Sequence, residues 1–433
     1  MSAPAKNGKN GASAVVLRRP AREPGAAAVV RRFGPVLGKR FTRNNLAVLS
    51  LVYSAYGGLK RSARLIHGRG ANIFTQWVGD PDAIGSAVML RTILQHLGAR
   101  EVRVLTGSLG HPQNRSLVAR IGLELHDPNE ERLPRGLHCM VDASPPLGVG
   151  STAQVKPVPE FFFVADHHAD PDEVEQTCKA RGVRRVKLSF VGLPVGSTSS
   201  FMAALGLAFG AWDELGASGR AAVALGIYTD TSALLHGATP LDFRMFEKLT
   251  RDPETQEVLD DLRDYRVPPA WFAYRARAFE NEQAVGAVRI APIGYIDVQH
   301  RDVIAEIANE LLRVEGTSIA IAIAVSERGT EVSVRADSRL LGDDRPRIVR
   351  VIEFLLNYAF PGVSGFKYEK RPPHRVEGGA CVPYDEAQQR LWTLEGDNAA
   401  ETMLEHCRAC ARALVAALQD LKFARPDEIQ GLL

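Results

Sequence analysis

The chain has 433 residues, of which 45% are hydrophobic and 24% charged, as expected of a globular protein long enough for two domains. No apolar run approaches the roughly 20 residues of a membrane-spanning helix, which argues against a membrane protein. The five cysteines are few, odd in number and scattered, so the sequence argues against a disulfide framework and predicts a reducing compartment, by default the cytoplasm.

The net charge of +3 conceals a basic amino terminus. Residues 1–45 carry ten Lys and Arg against one acid, Glu23, and the remaining chain has a net charge of −6. This segment is rich in Ala, Gly and Pro and lacks sustained periodicity, which predicts a disordered tail. Three roles fit it: loose binding to an RNA backbone, a solubilising extension, or a cleaved presequence.

Short strands and helices alternate after this tail. Residues 45–66 have helical apolar spacing, and residues 251–283 are charged, contain Val267-Pro268-Pro269 and predict a partly helical linker. Between them the predicted strands are 73–78, 101–106, 137–141 and 161–165, and the predicted helices are 84–97, one opening at Pro112, 198–209 and 219–226. The alternation predicts an α/β fold with a mostly parallel sheet, whose ligands collect beyond the carboxyl ends of the strands.

Acidic residues follow the predicted strands where such a site belongs. Asp80 and Asp82 follow the first strand, Asp142 follows 137–141, and Asp166-His167-His168 follows Phe161-Phe162-Phe163. Asp230 ends a further apolar segment, and Asp82 doubles as a helix cap before Ile84. Carboxylates with some imidazole favour manganese or magnesium over thiolate-bound zinc, and two such ions suit hydrolysis of a phosphate ester or anhydride.

The four motifs occur in the order and spacing of the DHH-family phosphoesterases. Gly79-Asp80-Pro81-Asp82-Ala83-Ile84-Gly85-Ser86, Asp142, Asp166-His167-His168 and Gly226-Ile227-Tyr228-Thr229-Asp230-Thr231 carry the resemblance, which covers residues 70–250. The sequence most resembles the bacterial oligoribonucleases that also dephosphorylate 3'-phosphoadenosine 5'-phosphate, and more distantly the RecJ exonucleases. The resemblance implies a DHH domain at 46–250.

The resemblance also implies roles for the motif residues. Asp80 would ligate one Mn²⁺ and Asp82 the other, Asp142 would bridge the two ions, and His167 and Asp230 would complete the shell of the second. His168 would bind the phosphate or protonate the leaving oxygen, and the alternative is that it orients His167. Asp166, grouped with His168 as a catalytic residue, would act by supporting the histidines.

One position departs from the family pattern. Most members have histidine four residues before Asp80, where this chain has Gln76. An amide oxygen is a weaker ligand than imidazole, although related exopolyphosphatases also have an amide side chain there. The resemblance thus implies a first metal ion that binds less tightly.

Residues 284–384 resemble the family's smaller mixed α/β DHHA1 domain, which binds substrate and would place the active site in a cleft between the domains. Strands are predicted at 285–296, 319–325 and 331–334, and helices at 302–312 and 348–358. Arg335 resembles a phosphate-contacting arginine, with an exposed edge-strand charge as the alternative. Gly378 and Gly379 match a glycine pair that permits close backbone approach, but Ala380 replaces the histidine that usually follows.

Basic and aromatic residues interleave at 366–375, as in sites that bind a short single strand. A solvated loop is the alternative, and His374 or Arg375 would compensate for the missing histidine. Residues 385–433 predict a carboxy-terminal helix, in which Cys407 and Cys410 are expected to serve packing rather than zinc binding.

The sequence therefore predicts a metal-dependent phosphoesterase acting on short RNA or on 3'-phosphoadenosine 5'-phosphate, and the resemblance implies a homodimer. Polyphosphate and cyclic dinucleotides are alternative substrates. A nucleotide-binding regulator that has lost turnover is the alternative from another class, because Gln76 and Ala380 depart from the family pattern.

Overall fold

The computed structural model describes residues 16–17, 25–76, 78–128, 135–144, 160–168, 170–180, 183, 185–337, 339, 345–360, 367–371, 375–383 and 397–420. The chain divides into two compact units, Met1–Leu109 with Gln113–Tyr265 and Gly110–Pro112 with Arg266–Leu433. The division after Tyr265 lies within the predicted linker at 251–283, most of which is helical.

Within the described residues, seven parallel strands form the sheet of the first unit. They are β1 (Val16–Leu17), β2 (Gly70–Phe74), β3 (Glu101–Leu105), β4 (Leu125–His126), β5 (Leu137–Val141), β6 (Glu160–Asp166) and β7 (Arg185–Val191). Their order is β1-β7-β6-β5-β2-β3-β4, and every pair is parallel. The sheet and its alternating helices confirm the predicted α/β class.

The strand order reverses between β2 and β5. From β2 the chain proceeds outward through β3 and β4, and it then returns to the other side of β2 with β5 and β6. A reversal of this kind opens a crevice at the carboxyl ends of the two central strands, where α/β proteins bind ligands. Asp80 and Asp142 follow the two strands that flank the reversal.

Helices cover both faces of this sheet. They are α1 (Ala26–Leu37), α2 (Lys39–Asn44), α3 (Leu46–Arg61), α4 (Ala63–Ile66), α5 (Pro81–His96), α6 (Pro112–Ile121), α7 (Pro171–Ala180), α8 (Thr198–Phe209), α9 (Gly216–Asp230), α10 (Pro240–Leu249) and α11 (Pro253–Arg263), with a 3₁₀ turn at Asp213–Leu215. The large core includes α3, α5, α8 and α9, and a smaller core on the other face includes Phe74, Phe161 and Val174.

The predicted disordered tail differs from the structure over residues 26–44. Here α1 and α2 form, and Val29, Phe33 and Leu37 are buried in the large core. Their i, i+4, i+8 spacing places them on one helix face, and burial of that face compensates for the high local charge. The rest of the predicted tail, apart from β1, Gly25 and Asn45, lies outside the described residues.

The second unit contains a mixed sheet, as predicted. Within the described residues its strands are β8 (Gln283–Val285), β9 (Val288–Tyr295), β10 (Ile319–Ser326), β11 (Gly329–Asp337), β12 (Lys367–Arg371) and β13 (Arg375–Val382). The order is β12-β13-β11-β10-β9-β8, in which only β9 and β10 pair in parallel. The predicted single strand at 285–296 is two strands joined by a tight turn, because Gly286 adopts a positive φ of 57°.

The helices of this unit are α12 (Pro269–Glu280), α13 (Asp302–Leu312), α14 (Arg345–Ala359) and α15 (Asp397–Asp420), with a 3₁₀ turn at Val298–His300. Strand β10 alternates large and small residues. Its isoleucines face the core that contains α14 and α15, and Ala320, Ala322 and Ala324 face the core that contains α12 and α13. The Ile-Ala repeat is therefore typical of a central strand that is covered on both faces.

Cys407 and Cys410 lie on the buried face of α15 and belong to the core of this unit, which confirms their predicted packing role. Of the predicted helix at 385–433, residues 397–420 are described. Among the helices of the described residues, none combines the length and the apolar character that crossing a membrane requires.

Candidate metal centre

Asp142 lies directly beyond β5 in a constrained conformation. Its φ is +54°, a left-handed value that Asp and Asn tolerate better than most residues. The backbone amide donates to the carbonyl oxygen of Ala165 on β6 at 2.9 Å, and the Thr198 hydroxyl donates to Oδ1 at 3.0 Å. Oδ2 is buried and has no hydrogen-bond partner, so a buried carboxylate oxygen is left available to a ligand.

Asp80, rather than Asp82, caps α5. Its Oδ1 accepts a hydrogen bond from the backbone amide of Ala83 at 2.9 Å, and Pro81 occupies the first helical position, where no amide donor is needed. The other oxygen accepts a hydrogen bond from Nε2 of Gln76. The expected cap role of Asp82 is wrong, because the helix has already begun at Pro81 and Asp82 lies in its first turn.

Asp82 is fully buried and is held by the amino terminus of α8. Oδ1 accepts from the Ser197 hydroxyl at 2.9 Å and from the Ser199 amide at 2.7 Å, and Oδ2 accepts from the Thr198 amide at 2.8 Å. A helix amino terminus is a favourable environment for a carboxylate because its first amides lack partners within the helix. The hydrogen bonds fix the orientation of the Asp82 side chain.

Asp230 is the last residue of α9 and therefore ends a helix, whereas Asp142 and Asp166 lie at the carboxyl ends of strands β5 and β6. Two glycines explain how α9 approaches α5 so closely. A Cβ at Gly226 would lie 2.5 Å from Oγ of Ser199 and 2.9 Å from the Cα of Asp82, and one at Gly85 would lie 2.8 Å from the carbonyl oxygen of Ala222. The glycine crossing brings the end of α9 to the carboxyl edge of the sheet.

His167 is the point on which the acidic groups converge. Its Nε2 lies 3.0 Å from Oδ2 of Asp230, 3.7 Å from Oδ1 of Asp142 and 3.8 Å from Oδ2 of Asp82. Neighbouring ligand atoms of an octahedral Mg²⁺-sized cation lie about 3.0 Å apart and opposite ones about 4.2 Å apart. The 3.0 Å spacing equals that of neighbouring ligand atoms, and the 3.7 and 3.8 Å spacings lie between the two values.

His168 and Asp166 form a second layer beside this point. The Asp166 carboxylate accepts from the Ser144 hydroxyl at 2.5 Å and from the His168 backbone amide at 3.1 Å, and its Oδ1 also lies 3.1 Å from Nδ1 of His168. The His168 side chain is 44% exposed, whereas Asp166 is buried. Asp166 thus contacts both the backbone and the ring of His168, and Nε2 is the ring nitrogen on the side away from Asp166.

One ligand atom from each of Asp142, His167, His168 and Asp230 lies within 4.8 Å of the others. Eight residues were predicted to form or support the metal centre. The structure brings six of them together, these four with Asp82 and Asp166. Asp80 lies near enough to Asp230 for the Asp230 charge to raise its pKa. Gln76, predicted as a metal ligand, contacts Asp80 through its amide nitrogen.

Burial and mutual repulsion act on the carboxyl groups in the same direction. Burial, followed by the charges of Asp230 and Asp82, raises the pKa of Asp80 to about 7. Burial and the neighbouring carboxylates also raise the pKa of Asp82, and they raise that of Asp142 well above its ordinary value. Burial opposes protonation of His167, but the Asp230 carboxylate outweighs it and raises the pKa to about 9. A cation bound among these carboxylates would stabilise their charged forms.

Asp166 shows the opposite shift. Burial acts to raise its pKa, yet the hydrogen bonds and charge of His168 and the Ser144 hydroxyl hold the pKa below its ordinary value. Asp166 is thus ionised and hydrogen-bonded to His168 and Ser144, which suits a supporting role rather than one in proton transfer.

The predicted substrate residues belong to the second unit. Arg335 lies on the interior strand β11 and is only 11% exposed: its Nε donates to Asn309 at 3.0 Å and its guanidinium lies 3.7 Å from Glu377. The alternative of an exposed edge-strand charge is therefore wrong. Gly379 allows β13 to approach β11, since a Cβ there would lie 2.7 Å from the carbonyl oxygen of Val332.

Gly378 neighbours Glu377 on β13. Arg375 is the first residue of the same strand, and only the backbone of Arg375 is described. In the basic, aromatic segment at 366–375, His374 and residues 366, 372 and 373 lie outside the described residues, and for β12 only the backbone is described.

Sequence reasoning did not identify Ser197, Thr198 and Ser199, although they hold two of the acids. The signal was present in the run Gly196-Ser197-Thr198-Ser199-Ser200 at the start of a helix, where hydroxyl residues usually serve only as caps. Their contact with Asp82, more than 110 positions earlier, depends on the tertiary fold.

No protein-family model matches the chain. An uncharacterized protein of Methanocaldococcus jannaschii, MJ1633, is 26% identical over 297 residues, which are 67% of this chain and 55% of that protein. The chain thus spans little more than half the length of the curated relative it matches.

Two solved structures are similar to parts of the fold. An exopolyphosphatase-related protein from Bacteroides fragilis aligns with 82% of this chain and 98% of its own at 12% identity and a TM-score of 0.49. A DHH domain described as belonging to a family of ribosomal proteins aligns with 90% of this chain and 99% of its own at 13% identity and a TM-score of 0.34.

Proposed function

We propose that this chain is a divalent-metal-dependent phosphoesterase of the DHH family. One observation carries the proposal: Nε2 of His167 faces carboxylate oxygens of Asp230, Asp142 and Asp82 at 3.0 to 3.8 Å, beside a buried Asp142 oxygen that has no hydrogen-bond partner. Hard oxygen ligands with one or two imidazoles suit Mn²⁺, with Mg²⁺ as the alternative. The donor set and its spacing both fit a bound cation.

In this proposal two Mn²⁺ ions share the site. Asp82, Asp142, His167 and Asp230 would hold one, and Asp80 and Gln76 would contribute to the other, with Asp142 between them. A cation pair lowers the pKa of a bound water and stabilises charge during displacement at phosphorus. His168, whose Nδ1 contacts Asp166, would use Nε2 to bind the phosphate or to hold a proton for the leaving oxygen.

The proposed substrates are short RNA oligonucleotides and 3'-phosphoadenosine 5'-phosphate. The motif resemblance supports this choice, and a guanidinium is well suited to a phosphate. Arg335, Gly378, Gly379, His374 and Arg375 are the proposed substrate-binding residues. Because Arg335 already contacts Glu377 and Asn309, its phosphate contact would add to an existing network.

The test is hydrolysis by the purified chain with Mn²⁺ or Mg²⁺. The substrates are a dinucleotide RNA, 3'-phosphoadenosine 5'-phosphate, a cyclic dinucleotide and polyphosphate, each also incubated with the Asp142→Asn variant. We expect turnover of the first two by the wild type and loss of it in the variant. Turnover only of polyphosphate or of the cyclic dinucleotide would replace the proposed substrate. Nucleotide binding without turnover of any of them would support a regulator instead.

We also propose a cytoplasmic location and a homodimer. All five cysteines are free thiols, in agreement with a reducing compartment. The homodimer rests on the family resemblance, and sedimentation of the purified chain tests it.

A further inference from the structure

Asp242 is a fully buried acid in the first turn of α10 that the metal centre does not use directly. Its Oδ2 accepts three hydrogen bonds, from the Gly196 amide at 2.9 Å, the Thr239 amide at 2.7 Å and the Thr239 hydroxyl at 2.6 Å. Oδ1 is buried and has no hydrogen-bond partner. One carboxylate oxygen thus joins two segments that are 43 positions apart.

The first of these segments leads to Asp82 and Asp142. Gly196 directly precedes Ser197 and Thr198: the Ser197 hydroxyl and the Thr198 amide donate to Asp82, and the Thr198 hydroxyl donates to Asp142. Gly196 itself has no spare room, because a Cβ there would lie 2.8 Å from both the Gly237 carbonyl oxygen and Cγ2 of Thr231. The position of Gly196 therefore sets where α8 begins and where its donors point.

The second segment leads back to Asp230. Between Asp230 and Thr239 the chain passes through three consecutive non-glycine residues with positive φ, Ser232 at 48°, Ala233 at 62° and Leu234 at 64°. Backbone strain of this kind persists only where the surroundings fix both ends of the segment, and it is concentrated at functional sites.

Both ends of the strained segment are fixed. At one end the buried Thr231 hydroxyl accepts from the Leu234 amide at 3.1 Å, and the Thr231 carbonyl oxygen accepts from the His236 amide at 2.9 Å. At the other end Thr239 is bound to Asp242. The segment ends α9 at Asp230, whose Oδ2 lies 3.0 Å from Nε2 of His167.

We propose that Asp242 is a positioning residue for the cation site, a role that rests on the proposed function. By holding Gly196 and Thr239 on one oxygen, it fixes the donors to Asp82 and Asp142 relative to the segment that carries Asp230. Asp242 contacts no metal ligand in this arrangement. Residues that orient metal ligands typically change metal affinity by about 10- to 100-fold when replaced.

The unpaired Oδ1 provides a conservative variant. In Asp242→Asn the amide oxygen keeps all three hydrogen bonds and the NH₂ group takes the place of the unpaired Oδ1, so the link survives without the charge. In Asp242→Ala the link is lost. Asp252→Ala is the matched control: Asp252 caps α11 through the Thr255 amide and hydroxyl, at 3.3 and 2.8 Å, and binds Arg220, but it contacts neither segment.

The experiment is calorimetric titration of each full-length variant with Mn²⁺, beside its thermal unfolding in EDTA. We expect Asp242→Ala to raise the Kd for Mn²⁺ at least about tenfold, Asp242→Asn to stay within about threefold, and Asp252→Ala to lower Tm with an unchanged Kd. Equal Mn²⁺ affinity in wild type and Asp242→Ala would overturn the role, as would equal losses in Asp242→Ala and Asp242→Asn. A wild-type chain that binds no Mn²⁺ would overturn the proposed function itself.

Thr239→Val keeps the test decisive if Asp242→Ala does not fold. Valine matches the shape of threonine and removes only the hydroxyl donor, so the hydrogen bond from the backbone amide of residue 239 to Asp242 remains. We expect a Kd for Mn²⁺ a fewfold above that of wild type in a folded protein. An unchanged Kd in this variant would contradict the positioning role.

Discussion

Gly226 on α9 packs against Asp82 on α5 so closely that a Cβ at position 226 would lie 2.9 Å from the Cα of Asp82. The same Cβ would lie 2.5 Å from Oγ of Ser199, which donates to the Asp82 carbonyl oxygen. Three elements therefore meet at a point where only glycine fits. The position of the Asp230 carboxylate relative to His167 depends on this crossing.

Gly226→Ala should destabilise the protein and weaken metal binding together. Overpacking at a rigid backbone contact costs about 1–3 kcal/mol. If α9 and α5 moved apart to relieve the clash, Asp230 would move away from Asp82. Urea unfolding and Mn²⁺ titration measure the two effects. Gly219→Ala in the same helix is the control, since its Cβ would meet only the Leu215 side chain, at 3.1 Å, and alanine favours the helix. Equal behaviour of the two variants would contradict a specific crossing at Gly226.

Asp142→Asn should abolish hydrolysis and stabilise the metal-free protein. Asparagine tolerates the φ of 54°, and it removes a buried charge that is repelled by Asp82, Asp80 and Asp230. We expect a gain of about 1 kcal/mol or more in the free energy of unfolding in EDTA, because each unit of raised pKa costs about 1.4 kcal/mol. Chemical denaturation measures it, and Asp142→Ala should gain less because alanine is strained at positive φ. A variant less stable than wild type in EDTA would contradict the repulsion.

The stability of the metal-free protein should fall as the pH rises from about 4 to about 9. The pKa of Asp80 is raised from 3.8 to about 7, so the folded state holds a proton that the unfolded state has lost, and stability falls through that interval. The pKa of His167 is raised from 6.5 to about 9, so its contribution is complete below 6.5 and is lost as the pH rises through 9. Both shifts act in the same direction.

A cation relieves the same repulsion, so the gain in Tm on adding Mn²⁺ should be larger at pH 8 than at pH 5.5. Thermal unfolding with Mn²⁺ and with EDTA at both values measures it. Asp80→Asn is the control, because it should flatten the decline in EDTA between about pH 4 and 7. Equal gains in Tm at the two pH values would show that these carboxyl groups do not control metal binding.

The local elements were largely predictable because their patterns are local. Strand Leu137–Val141 and helices Thr198–Phe209 and Asp302–Leu312 match the sequence prediction residue for residue, since each has unbroken apolar periodicity and a clear end. Asp80, Asp142 and Asp166 could be assigned to one edge because parallel strands place their carboxyl ends together.

The groups that orient these acids were not predictable, because they come from distant parts of the chain. Thr198 and Asp142 are 56 positions apart, and Asp242 reaches Gly196 across 46. Helix α1 was missed for a related reason: basic residues and Pro35 obscure the Val29, Phe33 and Leu37 face until a core exists to bury it. The internal pairing of Arg335 likewise requires α13 and β13 to be in place.

Gln76→His should lower the Mn²⁺ concentration at which hydrolysis is half-maximal. In the wild type the Gln76 amide nitrogen donates to one Asp80 oxygen and the Ala83 amide donates to the other, so the Gln76 amide competes with the first cation for Asp80 and offers that cation no nitrogen lone pair. An imidazole can offer an unprotonated nitrogen to that cation and is a better ligand than an amide. A Mn²⁺ titration of initial rates tests this, with Gln76→Ala as the control that frees Asp80 without adding a ligand. If Gln76→His and Gln76→Ala have the same half-maximal Mn²⁺ concentration, release of Asp80 rather than imidazole ligation accounts for the change. If the half-maximal concentration of Gln76→His is above that of wild type, Gln76 lies outside the metal site.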